Sequence, residues 1–233
     1  MTPLEIVLVV IAGTIALIAA LYAIVLNVFK EKKEKQFAVL NRAAEPAQIA
    51  LFGDSLTDFY PTELLIDAPL FVYNRGIAGD KIKDLLRRMT DLVDLKPRVV
   101  ALLIGVNDLI GGATAARTLR RVIEVIEQIR RALPESKLIV ESLYPIHRKN
   151  AYSLLCCAFC TNKKITAVNC GLKAYCEENG LEYVDLHARL CDERGRLEKG
   201  LTVEGLHLNV KGYLAVTDLL LPRLKAACEE DEE

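Results

Sequence analysis

No charged residue occurs between Ile6 and Phe29, and no proline interrupts that stretch. This absence excludes an ordinary surface helix, which would carry a polar stripe. Roughly 20 apolar residues, each rising about 1.5 Å, are enough to cross a bilayer core. Residues 4–29 are therefore expected to form a transmembrane helix. A cleaved signal peptide would want basic residues ahead of a shorter apolar run and a small-residue cleavage site after it. Here Glu5 is the only charged residue before the run, which closes in Leu26-Asn27-Val28-Phe29. Lysine and arginine are missing from everything before Lys30. Cations flanking a span favour the cytoplasmic side, so the expectation is a single-pass membrane protein with its domain in the cytoplasm.

Basic charge is not in surplus either. Thirty Lys and Arg stand against 31 Asp and Glu, which gives nucleic acid no electrostatic footing as a partner. The seven cysteines are odd in number and unevenly spaced, so they do not form a disulfide framework; reduced thiols agree with a cytoplasmic domain. Cys157 and Cys160 make one Cys-x-x-Cys pair, and a second pair is lacking. Zinc held with Cys170 or Cys176 is a poor fit on that ground, and the expectation is no metal and no cofactor. Internal repeats are absent. Residues 30–46 read as a juxtamembrane linker, 47–228 as one domain, and 229–233 as an acidic tail.

Within the domain, short apolar runs end in turn residues: Ile49 to Phe52, Phe71 to Asn74, Val99 to Ile104, Leu138 to Val140, and Tyr183 to Val184. Unbroken runs of this kind suit strands buried on both faces. Helical spacing fills the gaps, as in Leu119, Val122, Ile123, Ile126, Ile129 and Leu133, stopped by Pro134. Such alternation predicts a five-stranded, mainly parallel sheet in a three-layer α/β/α sandwich, with chemistry beyond the C-terminal strand ends.

The unusual polar residues fall at those ends. Ser55 follows the first strand in Gly53-Asp54-Ser55-Leu56, where it is either a raised nucleophile or a plain helix cap. Gly79 follows the second strand and is either a bare N–H donor or a loop glycine. Asn107, in Gly105-Val106-Asn107-Asp108 after the third strand, is either an oxyanion donor or a turn residue. Only three histidines exist, His147, His187 and His207. His207 lies three residues after Glu204, whose carboxylate can orient an imidazole acting as general base. Each signal is weak alone, but their order along the chain is consistent.

Taken together these blocks resemble the SGNH hydrolases, the GDSL esterase/lipase family, over about Ile49 to Leu224. The resemblance implies a flavodoxin-like fold and metal-independent ester hydrolysis. It implies Ser55 as nucleophile, His207 as base with Glu204 behind it, and Ser55, Gly79 and Asn107 as the oxyanion hole. The family usually carries Asp where Glu204 stands, so the carboxylate arm here is one methylene longer. No Gly-x-Ser-x-Gly elbow occurs, which disfavours the α/β-hydrolase fold. The expected substrate is a small-molecule or lipid ester, either a lysophospholipid-like lipid or a short O-acyl ester. A catalytically inactive, membrane-tethered binding protein on the same fold is the alternative. Tyr152 to Cys160, including Cys156, Cys157 and Cys160, reads either as a lid over the domain or as an apolar loop dipping into the membrane. In the second case Arg148, Lys149, Lys163 and Lys164 would meet head groups.

Overall fold

Every apolar run that ends in a turn residue forms a strand, and all five strands are parallel. The structure, a computed structural model, describes residues 1–45, 48–65, 67–68, 71–148 and 150–229, and not the side chains of Ala19, Tyr22, Ala151 and Tyr152. Pro46, Lys149 and most of the acidic tail thus lie outside the described residues.

The chain begins with α1 (Pro3–Leu40), whose first turn is closed by a capping box between Thr2 and Glu5. It is long and apolar enough to cross a membrane, with a mean hydropathy of 2.7 over its most apolar stretch, none of which is buried in the protein. The expected linker is not a linker. The helix runs on to Leu40 and passes into a 3₁₀ turn at Asn41–Ala43. Phe37 and Lys30 are buried against the domain. The charged stretch is helical because its side chains find partners there: Lys33 pairs with Asp58, and Glu34 takes two bonds from Arg87 at 2.6 and 2.8 Å.

β1 (Ile49–Gly53) leads into the short helix α2 (Ser55–Asp58), and β2 (Val72–Gly76) into α3 (Ile82–Arg87) and α4 (Met89–Val93). β3 (Val99–Leu103) precedes α5 (Val106–Ile110) and α6 (Ala115–Ala132). β4 (Lys137–Glu141) precedes α7 (Ala151–Cys156) and α8 (Asn162–Glu178), and β5 (Glu182–Val184) precedes α9 (Leu186–Leu190) and α10 (Val210–Glu229). The sheet order is β2-β1-β3-β4-β5, the flavodoxin-like doubly wound order. Helices α3, α6 and α8 pack together, and α9 packs with α10. On α6, Val122, Val125, Ile126 and Ile129 are buried, close to the face expected from the sequence. Because β1 lies between β2 and β3, the loops after these three strands emerge side by side.

One buried carboxylate marks the far edge of that crest. Glu141 ends β4, and among the described residues its side-chain partner is the Tyr144 hydroxyl, which donates at 2.8 Å. Burial pushes the Glu141 carboxyl up to about 7, against the pull of that hydrogen bond. The folded protein therefore holds the protonated form better than the unfolded chain, where a glutamate titrates at about 4.3. The stabilisation from this group is complete below that value and is lost as pH rises to about 7. Glu141→Gln keeps an acceptor for Tyr144 and removes the titration. The expected outcome is that its melting temperature gains a few degrees on wild type between about pH 5 and about pH 8, measured in one detergent. A constant difference would contradict the assignment.

Candidate active site

Gly53 ends β1 and the chain turns at once into α2. Asp54 caps that helix, its Oδ1 accepting from the Leu56 N–H at 3.0 Å, and burial raises its carboxyl to about 7. Ser55 is the first residue of α2, where N–H groups have no acceptor within the helix. Its hydroxyl lies 3.0 Å from His207 Nε2. His207 Nδ1 lies 2.6 Å from Glu204 Oε1, so serine, imidazole and carboxylate form one continuous chain.

The extra methylene of Glu204 is taken up by a fold-back. The same Oε1 also accepts from the His207 backbone N–H at 3.1 Å. A clamp that the sequence reading missed surrounds this turn. The buried Thr202 hydroxyl accepts from the Gly205 N–H at 2.8 Å and donates to the His207 carbonyl at 2.7 Å. A threonine at that place looks like any loop residue in a sequence, and nothing there would have singled it out. Gly205 has φ of +111° and lies so close to the His147 carbonyl oxygen that a Cβ would collide with it. The His147 N–H in turn donates to the Gly205 carbonyl at 2.7 Å. His147 and His187 stand apart from the chain of three. His147 Nδ1 faces the Leu197 carbonyl at 2.8 Å, and His187 lies beside Cys191.

Gly79 sits in the loop after β2 with φ of +78°, and Asn107 occupies the first turn of α5. The Asn107 amide donates to the Asp80 carbonyl at 3.0 Å, which ties the loops after β2 and β3 together. Asp80 is fully buried. It takes a bond from Arg88 Nε at 2.7 Å and an ion pair from Lys30 at 3.2 Å. Burial raises its carboxyl, and Arg88 and then Lys30 oppose the rise. Arg88 also donates to the Gly53 carbonyl at 3.0 Å, reaching the residue before the Asp54-Ser55 turn. Asp80 and Arg88 are thus part of the frame. The sequence hint was only that two opposite charges eight residues apart flank a short helix.

The Phe59 ring packs on the His207 ring, centroids 5.2 Å apart, and Phe59 remains half exposed. α7 meets the same turn, its Ser153 side chain beside Gly205. Leu154, Leu155 and Phe159 are exposed, while Cys157 and Cys160 are buried. Burial pushes those two thiols to about 11 and about 12. Two of the expected head-group cations have other work. Arg148 donates to the carbonyls of Cys157, Ala158 and Cys160, and Lys164 donates to that of Phe159.

The model of the GDSL-like lipase/acylhydrolase family matches residues 51–215. Among solved structures, a Streptococcus pneumonia protein described as a platelet activating factor is 27% identical, with a TM-score of 0.79 over 90% of this chain and 99% of its own. A GDSL-like lipase from Bacteroides thetaiotaomicron is 21% identical, with a TM-score of 0.70 over 83% and 98%. An acetyl-xylooligosaccharide esterase from Geobacillus Stearmophilus is 17% identical, with a TM-score of 0.61 over 78% and 95%. No curated protein sequence matches the chain.

The Thr202–His207 turn makes a sharp test of this geometry. Gly205→Ala puts a side chain at a strained φ and against the His147 carbonyl. Strain of this kind costs on the order of 1–3 kcal/mol. The melting temperature is expected to fall by several degrees, and hydrolysis of a synthetic ester by at least tenfold, because His207 loses its register. Wild-type values for both would show that the turn is not constrained as described.

Proposed function

Because the chain belongs to the GDSL-like lipase/acylhydrolase family, whose members are ester hydrolases, we propose that it is a membrane-anchored serine esterase in which Ser55, His207 and Glu204 carry out a two-step acyl transfer. The observation that supports this is the hydrogen-bonded chain from Glu204 through His207 to Ser55. His207 Nε2 takes the proton from the Ser55 hydroxyl as Oγ attacks the ester carbonyl carbon. The carbonyl oxygen becomes an oxyanion facing the Ser55 and Gly79 N–H groups and the Asn107 amide. Collapse expels the alcohol, which leaves with the proton from His207. Water then attacks the acyl-serine with the same base, and the acid is released. Glu204 holds the imidazole in the tautomer that presents a bare Nε2 and stabilises the imidazolium. No metal or cofactor enters these steps.

The substrate is a carboxylic ester, either a lipid ester or a short acyl ester. The Bacteroides relative is described as a lipase and the Geobacillus relative as an acetyl-xylooligosaccharide esterase. The apolar part of α1 acts as a retained anchor, and Lys30, Lys32, Lys33 and Lys35 directly after it favour a cytoplasmic domain.

Labelling with a fluorophosphonate tests the reading directly, since only an activated serine reacts. Wild type is expected to label and Ser55→Ala to stay unlabelled. Ser55→Ala and His207→Ala should each lose several orders of magnitude in ester hydrolysis, and Asn107→Ala about 10²–10³ in turnover. An unlabelled wild-type protein would leave a membrane-tethered binding protein instead. A separate expectation concerns the carboxylate. Glu204→Gln should lower kcat with little change in KM, while Glu204→Asp should keep most of the activity. An unchanged kcat in Glu204→Gln would mean that another group orients the imidazole.

A further inference from the structure

The anchor helix does not end before the catalytic domain begins. It is built into the same loop that carries Gly79. Lys30 Nζ donates to the Gly79 carbonyl oxygen at 2.6 Å and to Asp84 at 2.9 Å, and it pairs with Asp80 at 3.2 Å. One turn earlier, Leu26 covers Gly79 so closely that a Cβ on the glycine would come within 2.9 Å of it. One turn later, Lys33 pairs with Asp58, and Glu34 with Arg87. At the helix end, the Asn41 side chain accepts two bonds from Arg75, at 2.7 and 2.9 Å, and donates to the Asp91 carbonyl. A buried lysine shared by two carboxylates cannot be withdrawn without stranding buried charge, so helix and loop move as one body.

This fixes the height of the catalytic crevice. Leu26 belongs to the charge-free run that ends at Phe29. A helix of residues 4–29 is about 39 Å long at about 1.5 Å per residue, against a hydrocarbon core of about 30 Å. In a helix that crosses the bilayer, its last turn is the one nearest the head groups on the domain side, and Gly79 lies beside it. A line of side-chain contacts, aromatic at both ends, runs from that turn toward the reacting atoms. Phe29 flanks Lys33, Lys33 pairs with Asp58, and the next residue, the half-exposed Phe59, packs at a tilt against His207. Beyond the Glu204–His207 turn, Leu154, Leu155 and Phe159 are exposed on and beside α7. Phe59 thus gives the imidazole an apolar neighbour, and α7, which meets the same turn through Ser153, adds exposed apolar side chains.

We propose that the docked anchor seats the mouth of the active site on the bilayer surface, so that the enzyme takes long-chain esters carried in the membrane in which it is itself embedded. The proposal rests on Ser55 being the nucleophile, and it goes further by choosing membrane-resident over water-soluble esters. Ester groups of acyl lipids lie at the boundary between hydrocarbon and head groups, the level at which Leu26 meets Gly79. A substrate reaches the site by lateral diffusion, with its acyl chain still in the leaflet and only the carbonyl lifted to Ser55.

The test uses the full chain reconstituted in phosphatidylcholine vesicles, with two probes that share one leaving group. 4-Methylumbelliferyl oleate is placed either in the same vesicles as the protein or in separate protein-free vesicles, and 4-methylumbelliferyl acetate is supplied in water. Oleate in the same vesicles is expected to be hydrolysed at least tenfold faster than oleate in separate ones. A second variant carries a flexible Gly-Ser segment of about 20 residues between Phe29 and Lys30, which lets the domain stand about 25 Å off the surface with its Lys30 pairs intact. It should keep fluorophosphonate labelling and acetate hydrolysis, and lose most of the rate on oleate in its own vesicles. A protein that labels and cleaves acetate, but shows no advantage for oleate in its own vesicles or no loss on insertion, overturns the proposal alone. A protein that neither labels nor cleaves either probe overturns the serine assignment, and the proposal with it.

Discussion

The carboxylate of Asp80 is the point on which the catalytic crest depends. A fully buried charge is costly unless it is paired and hydrogen-bonded, and here the two partners come from different places. Arg88 approaches from the segment after α3 and carries the Gly53 carbonyl with it. Lys30 approaches from α1 and carries the Gly79 carbonyl. The backbone carbonyl of Asp80 itself receives the Asn107 amide. One residue therefore joins the end of β1, the loop after β2, the loop after β3 and the N-terminal helix α1. Replacing this network by apolar side chains could match its stability, but it would not hold four separate segments at fixed distances from one another.

The fold was largely legible because its signals are local. Five apolar runs bounded by turn residues became five strands, and their parallel order followed from the helices between them. The linker was misread for the opposite reason. Lys30, Lys33 and Glu34 look like a solvated, flexible stretch in a sequence, and their partners Asp80, Asp58 and Arg87 lie 25 to 53 residues away. Charge that will be paired and charge that will be solvated are spelled alike. Ser55, Gly79, Asn107, Glu204 and His207 were readable as candidates because each sits in a short distinctive block. Thr202, Arg88 and Lys30 were not, since they act by holding backbone carbonyls and neighbouring carboxylates, a task that leaves no motif.

The loop after β4 shows how composition can mislead in detail. Arg148 and Lys164 suggested a cationic collar, yet three loop carbonyls share Arg148 and a fourth takes Lys164. A short irregular segment has more carbonyls than its own N–H groups can satisfy, and long basic side chains are well suited to make up the difference. Among what is left exposed are the apolar side chains Leu154, Leu155 and Phe159.

The hydrogen bond between Ser55 and His207 spans 152 positions of the chain. Contacts of such separation form late, because the intervening loop entropy must first be spent. α1 and Ser55 both leave the ribosome long before His207 exists. Until the Thr202–His207 turn closes over β1, Ser55 is an ordinary alcohol with no base beside it. The Ser55–His207 contact is thus completed only after the whole stretch from α1 to the Thr202–His207 turn has been made, so the frame around Ser55 can form before its partner imidazole arrives.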